Sequence, residues 1–324
     1  MKVLVCGGAG YIGSHMVRCL LQRHHQVVVF DNLSTGHREA LGDAPLVEGD
    51  LLDTAAVNAL FDANRIDVVV HFSARSLVGE SMHAPYAYYE NNVVGTLNLL
   101  QAMRRHDVGR LVFSSTAAVF GNPQYVPIDE EHPLQPINPY GSSKWMVEQM
   151  LADAARAYGL RSVVLRYFNA AGADPSGDIG ESHDPETHLI PNVLSAALGR
   201  SGGLKVFGAD YATRDGTCIR DYVHVNDLCA AHLNAIEFID ANAGAHCFNL
   251  GNEQGFTVLE VIQAARRVSK RDIPFELAPR RAGDPPILVA ANAKAREQLG
   301  WKPGLTDIES IIETAWRWHC QPRY

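Results

Sequence analysis

The run Val3-Leu4-Val5-Cys6-Gly7-Gly8-Ala9-Gly10-Tyr11-Ile12-Gly13-Ser14-His15-Met16-Val17 constrains the fold more than any other stretch. A short apolar strand leads into glycines and then into the start of a helix. Two glycine frames fit, Gly8-x-Gly10-x-x-Gly13 and Gly7-x-x-Gly10-x-x-Gly13. Either lets the chain turn tightly, lets backbone approach a pyrophosphate, and lets helix and strand pack closely. The helix N-terminus then offers free N–H groups and its positive dipole end to an anion. The same spacing also suits a simple strand–helix turn, so the rest of the chain has to decide.

Strand-sized β-branched runs alternate with amphipathic helix-sized runs through the first half. Strands are predicted at Lys2–Cys6, Gln26–Phe30, Pro45–Glu48, Val68–His71, Arg110–Ser115 and Ser162–Phe168, and helices near Gly13–Arg23, Thr54–Asn64, Ala87–His106 and Tyr140–Tyr158. Apolar strands alternating with helices mean parallel strands covered on both faces. The predicted class is α/β, a Rossmann-type doubly wound parallel sheet over residues 1–169. After Asn169 the alternation stops at a Gly/Asp/Pro-rich stretch, Gly172–Pro185. Residues 170–324 are expected to form a smaller mixed α/β substrate-binding domain, with later segments such as Ala245–Leu250 returning to the main sheet.

The strand Gln26–Phe30 ends at Asp31, about 20 residues beyond the glycine turn, where an acidic residue grips ribose hydroxyls. A carboxylate there repels a 2′-phosphate, which favours NAD over NADP. A third strand ends in Glu48-Gly49-Asp50-Leu51, from which Asp50 could reach the adenine amino group.

The formal charge of −8 gives no electrostatic reason to expect a nucleic-acid or membrane-surface partner. No apolar run approaches the ~20 residues of a membrane span. The six cysteines are scattered with no C-x-x-C pair, which reads as reduced thiols. With the chain opening directly on a strand, the expected compartment is the cytoplasm.

Pro139-Tyr140-Gly141-Ser142-Ser143-Lys144 opens a helix in which Tyr140 and Lys144, four apart, share a face. An unperturbed phenol has a pKa of about 10. A nearby ammonium and an oxidised nicotinamide would both favour the phenolate and make Tyr140 a general base. The strand Arg110–Phe113 ends in Ser114-Ser115-Thr116, at the carboxyl edge where open α/β sheets bind ligands. A hydroxyl there can share a proton with the phenolate.

The segments GGAGYIG, HFSARSLVGES, NNVVGTLNLL, FSSTAAVFG, PYGSSKWMVEQ, LRYFNAAGADPSG, RDYVHVNDL and RRAGDPP together resemble the UDP-glucose (UDP-galactose) 4-epimerases of the extended short-chain dehydrogenase/reductase superfamily. The resemblance runs over essentially the whole chain. It implies a catalytic triad of Thr116, Tyr140 and Lys144. Tyr140 would take the proton of the sugar 4-hydroxyl while C4 passes a hydride to tightly held NAD. The resulting 4-keto sugar would swing about its pyrophosphate and accept the hydride on its other face. The resemblance extends the NAD contacts to Gly7, Gly10, Tyr11, Ile12, Gly13, Asp31, Asn32, Asp50, Leu51, Phe72, Ser73, Ala74, Asn91, Ser114, Tyr140, Lys144 and Phe168. It assigns the UDP-hexose to Thr116, Tyr140, Asn169, Leu189, Val206, Phe207, Arg220, Arg281 and Asp284. Planar, permanently charged arginines suit a diphosphate in an otherwise acidic protein. It also implies a homodimer built on the helices Ala87–His106 and Tyr140–Tyr158.

Three places in the chain depart from the family pattern. Ser76 stands where a bacterial relative has a cofactor-contacting lysine, with Arg75 beside it. Leu288 falls where some epimerases carry a tyrosine that excludes N-acetylated sugars, which leaves UDP-N-acetylhexosamines open as substrates. His183 and His188 lack partner ligands at a suitable sequence spacing, so no metal is expected. Two other functions remain open on sequence grounds. A nucleotide-sugar 4,6-dehydratase would usually carry an acid directly after Thr116, where this chain has Ala117-Ala118. A non-catalytic NAD-sensing protein could dispense with the tyrosine or lysine that this chain keeps.

Overall fold

The computed structural model describes residues 1–200, 203–281 and 284–324, so Ala282 and Gly283 of the RRAGDPP segment lie outside the described residues. Strands β1 (Lys2–Cys6), β2 (Gln26–Asp31), β3 (Leu46–Glu48), β4 (Val68–His71), β5 (Arg110–Thr116) and β6 (Arg161–Tyr167) join a seventh, Ala245–Leu250. Across the sheet they run β3-β2-β1-β4-β5-β6 and then Ala245–Leu250, every pair parallel. The strand order reverses direction between β1 and β4. Doubly wound sheets take their ligands beside such a reversal, at the carboxyl ends of the strands.

The two faces of β1 explain the layering. Val3 and Val5 point into one apolar cluster with Met16, Leu20, Leu228, Leu233 and Ile236. Leu4 and Cys6 point into the other, with Phe30, Leu60, Phe61, Leu99, Met103, Val147 and Leu151. Helices on both faces are therefore required, and each β1 residue from Val3 to Cys6 is fully buried.

The helix Val225–Ala241 supplies Leu228, Leu233 and Ile236 to the first cluster, and Ala245–Leu250 adds the last parallel strand beside β6. The chain beyond Asn169 thus contributes to the main sheet and to its cover. The remaining C-terminal elements surround a separate apolar cluster built from the helices Leu189–Ala197, Val258–Ser269 and Ile308–Cys320. Beside it lie a four-stranded sheet centred on Ile219–His224 and the pair Leu204–Phe207 with Phe275–Ala278.

The helix read at Ala87–His106 is a continuous rod from Pro85 to Arg105 with a π-helical stretch at Tyr89–Val94. Such widened turns commonly re-aim side chains at functional sites. The helix Pro139–Tyr158 starts where Asn138 caps it by accepting the Gly141 N–H at 2.8 Å. Pro139 occupies its first position, and Gly159 closes it at φ +70°. No described helix is long and apolar enough to cross a membrane.

Candidate active site

The glycine turn is built by close approaches. Gly7 sits at φ +76°, and a Cβ there would lie 2.5 Å from the Ser73 nitrogen. A Cβ on Gly13 would lie 2.1 Å from the Gly7 carbonyl oxygen and 2.8 Å from the Gly8 Cα. A Cβ on Gly10 would meet only the Gly7 oxygen, at 3.5 Å. Gly7 and Gly13 are thus needed by the fold of the turn itself, whereas Gly10 keeps its outer side open. The helix Tyr11–Gln22 has no side-chain cap, so its first-turn N–H groups are left for a ligand. These features fit a pyrophosphate cradle. Gly13→Ala is expected to destabilise the protein by about 1–3 kcal/mol, because the clash is with backbone. Thermal unfolding and the NAD content of the purified variant would check this.

Asp31 ends β2 as a buried residue, its carboxylate accepting the Ala9 N–H at 2.9 Å and the Leu33 N–H at 2.8 Å. Burial raises its pKa and the two N–H groups oppose that rise. Asp31 therefore anchors the glycine turn from the carboxyl end of β2. Asn32 donates to Asp50 at 2.8 Å, which joins the ends of β2 and β3 in one polar rim. Leu51 is buried, and a Cβ on Gly95 would touch it at 3.2 Å. Phe72, with its N–H on the Cys6 carbonyl, packs at 4.7 Å between ring centroids on buried His232. Ser73 and Ala74 continue from it at the end of β4. Arg75, beside Ser76, pairs with Glu80 at 3.2 Å.

The helix Pro139–Tyr158 reads β5 at four-residue intervals. A Cβ on Gly141 would meet the Ala118 oxygen at 2.4 Å, so glycine is what lets this helix approach the end of β5. Tyr140 lies by Thr116, and the Lys144 Nζ donates to the Ser114 carbonyl at 2.8 Å. Glu148, one turn further on, accepts from Ser115 and pairs with Arg166 in a buried salt bridge. The Thr116 Oγ1 accepts the Ala118 N–H at 3.1 Å, which leaves its own proton to be shared. Ser114 hydrogen-bonds Tyr167.

The charges differ from the sequence expectation in one respect. Burial raises the Tyr140 pKa, with the Thr116 hydroxyl opposing, and burial lowers Lys144 to about 7, with Glu148 opposing. In the protein alone desolvation outweighs the help an ammonium gives the phenolate. A cationic ring bound in the crevice is the remaining source of that help.

Asn92 was not visible as a site residue. It is buried on the π-helical stretch, donates to the Ser143 hydroxyl at 2.9 Å and to the Arg75 carbonyl at 3.0 Å, and accepts the Arg75 N–H at 2.8 Å. Ser143 in turn donates to the Tyr140 carbonyl at 2.7 Å. Asn91, its neighbour, donates to Asn92 at 2.9 Å. Glu148 did leave a signal, since Tyr140, Lys144 and Glu148 repeat every fourth residue.

On the C-terminal side, Asn169 begins a short strand paired with Ile219–His224, and Phe168 packs near Phe120 and Leu288. Arg220 donates to the Ile219 and Pro285 carbonyls, both at 2.9 Å, and approaches Asp284 at 3.3 Å. The Arg281 guanidinium lies 4.0 Å from the Phe207 ring centroid. Leu189 opens the helix Leu189–Ala197. Val206 is 1% exposed and belongs to the C-terminal apolar cluster. Tyr11 donates to the Gly172 carbonyl at 2.6 Å and ties the glycine-turn helix to the C-terminal region.

One expectation is corrected. The loop after Gly180 folds Glu181 and Glu186 against His183 and His188, so these histidines do have partner ligands nearby. Sequence spacing missed them because an irregular loop, with no helical or strand period, brings the four together.

The NAD dependent epimerase/dehydratase family model matches residues 3–251. A UDP-glucose 4-epimerase of Halalkalibacterium halodurans is 52% identical over 98% of this chain and 96% of its own length. The crystal structure of UDP-glucose 4-epimerase from Brucella ovis in complex with NAD is 48% identical, with a TM-score of 0.95 over 97% of both chains. The Bifidobacterium longum UDP-glucose 4-epimerase, solved with NAD+ and UDP, is 38% identical, with a TM-score of 0.95 over 99% of both chains. By fold, by near-complete coverage and by about half its residues, this chain belongs to the NAD dependent epimerase/dehydratase family, among its UDP-glucose 4-epimerases.

Proposed function

We propose that this chain interconverts UDP-glucose and UDP-galactose, with NAD retained through the cycle. The observation that carries the reading is the convergence of Thr116, Tyr140 and Lys144 at the carboxyl end of β5, beside a glycine turn shaped for a pyrophosphate. NAD, when bound, supplies the acceptor and then the donor of the C4 hydride. The Tyr140 Oη takes the 4-hydroxyl proton and returns it. Thr116 shares that proton, and Lys144 fixes the end of β5 and orients the nicotinamide ribose. Asp31, Asn32 and Asp50 hold the adenosine side, with Leu51, Phe72, Ser73, Ala74, Asn91, Ser114 and Phe168 along the rest of the cofactor. Arg220 and Arg281 take the diphosphate of the sugar nucleotide, and Asp284 its ribose. Asn169, Leu189, Val206 and Phe207 complete that side.

Two further features of the chain suit this role. Met82, Tyr86, Val94, Leu97 and Met146 are 42–85% exposed on or beside the two helices expected at a dimer interface. We assign them to a homodimer. The free cysteines suit a reducing, cytoplasmic setting.

Purified protein given UDP-galactose without added nicotinamide cofactor is expected to form UDP-glucose, and denaturation should release close to one NAD per chain. A stable 4-keto-6-deoxy product would reassign the chain to the dehydratases. Turnover of UDP-N-acetylgalactosamine in the same assay would show whether Leu288 admits the larger sugar.

A further inference from the structure

We propose that Glu181, His183, Glu186 and His188 form a binding site for one divalent transition-metal ion of the zinc type. The four residues offer two imidazole nitrogens and two carboxylates whose candidate ligand atoms all lie within 4.8 Å of one another. A tetrahedral zinc with bonds of about 2.0–2.2 Å needs its ligands roughly 3.3–3.6 Å apart. The His183 Nδ1 lies 3.4 Å from the Glu181 Oε1 and 3.6 Å from the Glu186 Oε2, and the His188 Nδ1 lies 3.9 Å from the Glu186 Oε1. Of the other three edges, His188 to Glu181 is closed by a direct hydrogen bond and has to open as the ion displaces the bridging proton, and the other two lie within 4.8 Å.

The charge balance favours the ion. Two carboxylates and two neutral imidazoles around a dication sum to zero. Without the ion, the same neutrality requires two protonated imidazoles next to a Glu181 side chain that is only 4% exposed. Mixed nitrogen and oxygen donors select zinc-type ions over magnesium or calcium, which prefer oxygen alone.

The ligands are held by further contacts of the main chain and of Trp318. The Glu181 carbonyl accepts the Trp318 indole N–H at 2.8 Å, and a Cβ on Gly180 would collide with the Trp318 ring at 2.3 Å. Glu186 accepts the Thr187 and His188 N–H groups, both at 2.8 Å. Such outer partners fix ligand orientation. His183 meets the Tyr11 ring edge-on at 6.5 Å, and His188 directly precedes the helix Leu189–Ala197. The ion would brace the loop between the helices Leu189–Ala197 and Ile308–Cys320, with His183 against the Tyr11 ring, without touching a reacting atom. The proposal therefore stands or falls apart from the reaction assigned above.

The test uses untagged full-length protein, stripped with EDTA, dialysed and then given zinc. Elemental analysis after gel filtration is expected to find one zinc per chain, and the thermal midpoint to rise by several degrees. His183→Ala and Glu186→Gln should each weaken zinc binding at least tenfold in calorimetry, and their circular dichroism should match that of stripped wild type. Three results would overturn the site: no zinc retained by wild type, equal zinc retained by both variants, or magnesium bound in preference to zinc. The second outcome would place the ion on other histidines of the surface.

Discussion

Tyr140→Phe is expected to lower kcat for UDP-galactose by about a thousandfold, within the range that a positioned general base contributes. KM, NAD content and thermal midpoint should change little. The substitution removes only the Oη, while the ring keeps its edge-on contact with Tyr88 at 6.4 Å. The helix that carries it keeps its Asn138 cap and its lysine on the Ser114 carbonyl. Because burial raises Tyr140 and lowers Lys144 to about 7, proton transfer depends on where the phenol lies more than on an ionisation preset by the protein. A variant with wild-type kcat would remove Tyr140 from the chemistry. A variant with unchanged kcat and a raised KM would leave it a binding role only.

Much of this arrangement is legible in the residues, for identifiable reasons. β1 and β4 fall at their predicted limits because each is a short run buried on both faces. Asp31 and Tyr140 are legible through fixed spacings, one from a glycine turn and one along a helical face. The π-helical stretch at Tyr89–Val94 is not, since one widened turn leaves the apolar pattern nearly intact. Asn92 reaches Ser143 through that widening, across 51 residues of chain, so its role depends on tertiary contact alone. The assembly of Glu181, His183, Glu186 and His188 is hidden for a related reason. The loop that folds them together is fixed by Trp318, near the other end of the chain. Val206 shows a different limit. It is a buried member of the C-terminal apolar cluster, and only the resemblance, not its apolar character, marks it as a ligand contact.

Acid unfolding is expected to begin well above the carboxylate range, with stability falling on the order of 5 kcal/mol between pH 7 and pH 4.5. Four histidines cause it: His15, His71, His224 and His232, each at most 2% exposed. Burial is the largest influence on each, holding His71 at about 3 and the other three at about 4. Their hydrogen bonds agree with neutral rings. His15 and His232 direct Nδ1 to the Tyr11 and Leu228 carbonyls, both at 2.8 Å, and neither Nε2 has a partner among the described residues. In His71 the Nε2 meets the Thr96 hydroxyl at 2.9 Å, and Nδ1 is without a partner there. In His224 the Nδ1 accepts the Asn226 N–H at 3.1 Å, a bond that protonation would break. Below pH 6.5 the unfolded chain therefore binds protons that the folded chain refuses, and stability falls with pH. By pH 4.5 the four together remove roughly 10 kcal/mol. Asp221 acts in the opposite sense: burial raises it to about 7, so the folded chain takes its proton first and regains roughly 3 kcal/mol. In metal-free protein, hydrogen bonds to Glu181 outweigh burial and raise His183 and His188, which return at most about 1 kcal/mol each. The net loss is comparable with the whole stability of an ordinary domain. Urea unfolding followed from pH 7 to pH 4.5 would measure it, and His232→Phe should flatten the slope by the equivalent of one proton. Stability that stayed level down to pH 4.5 would mean that these rings accept protons where they are buried.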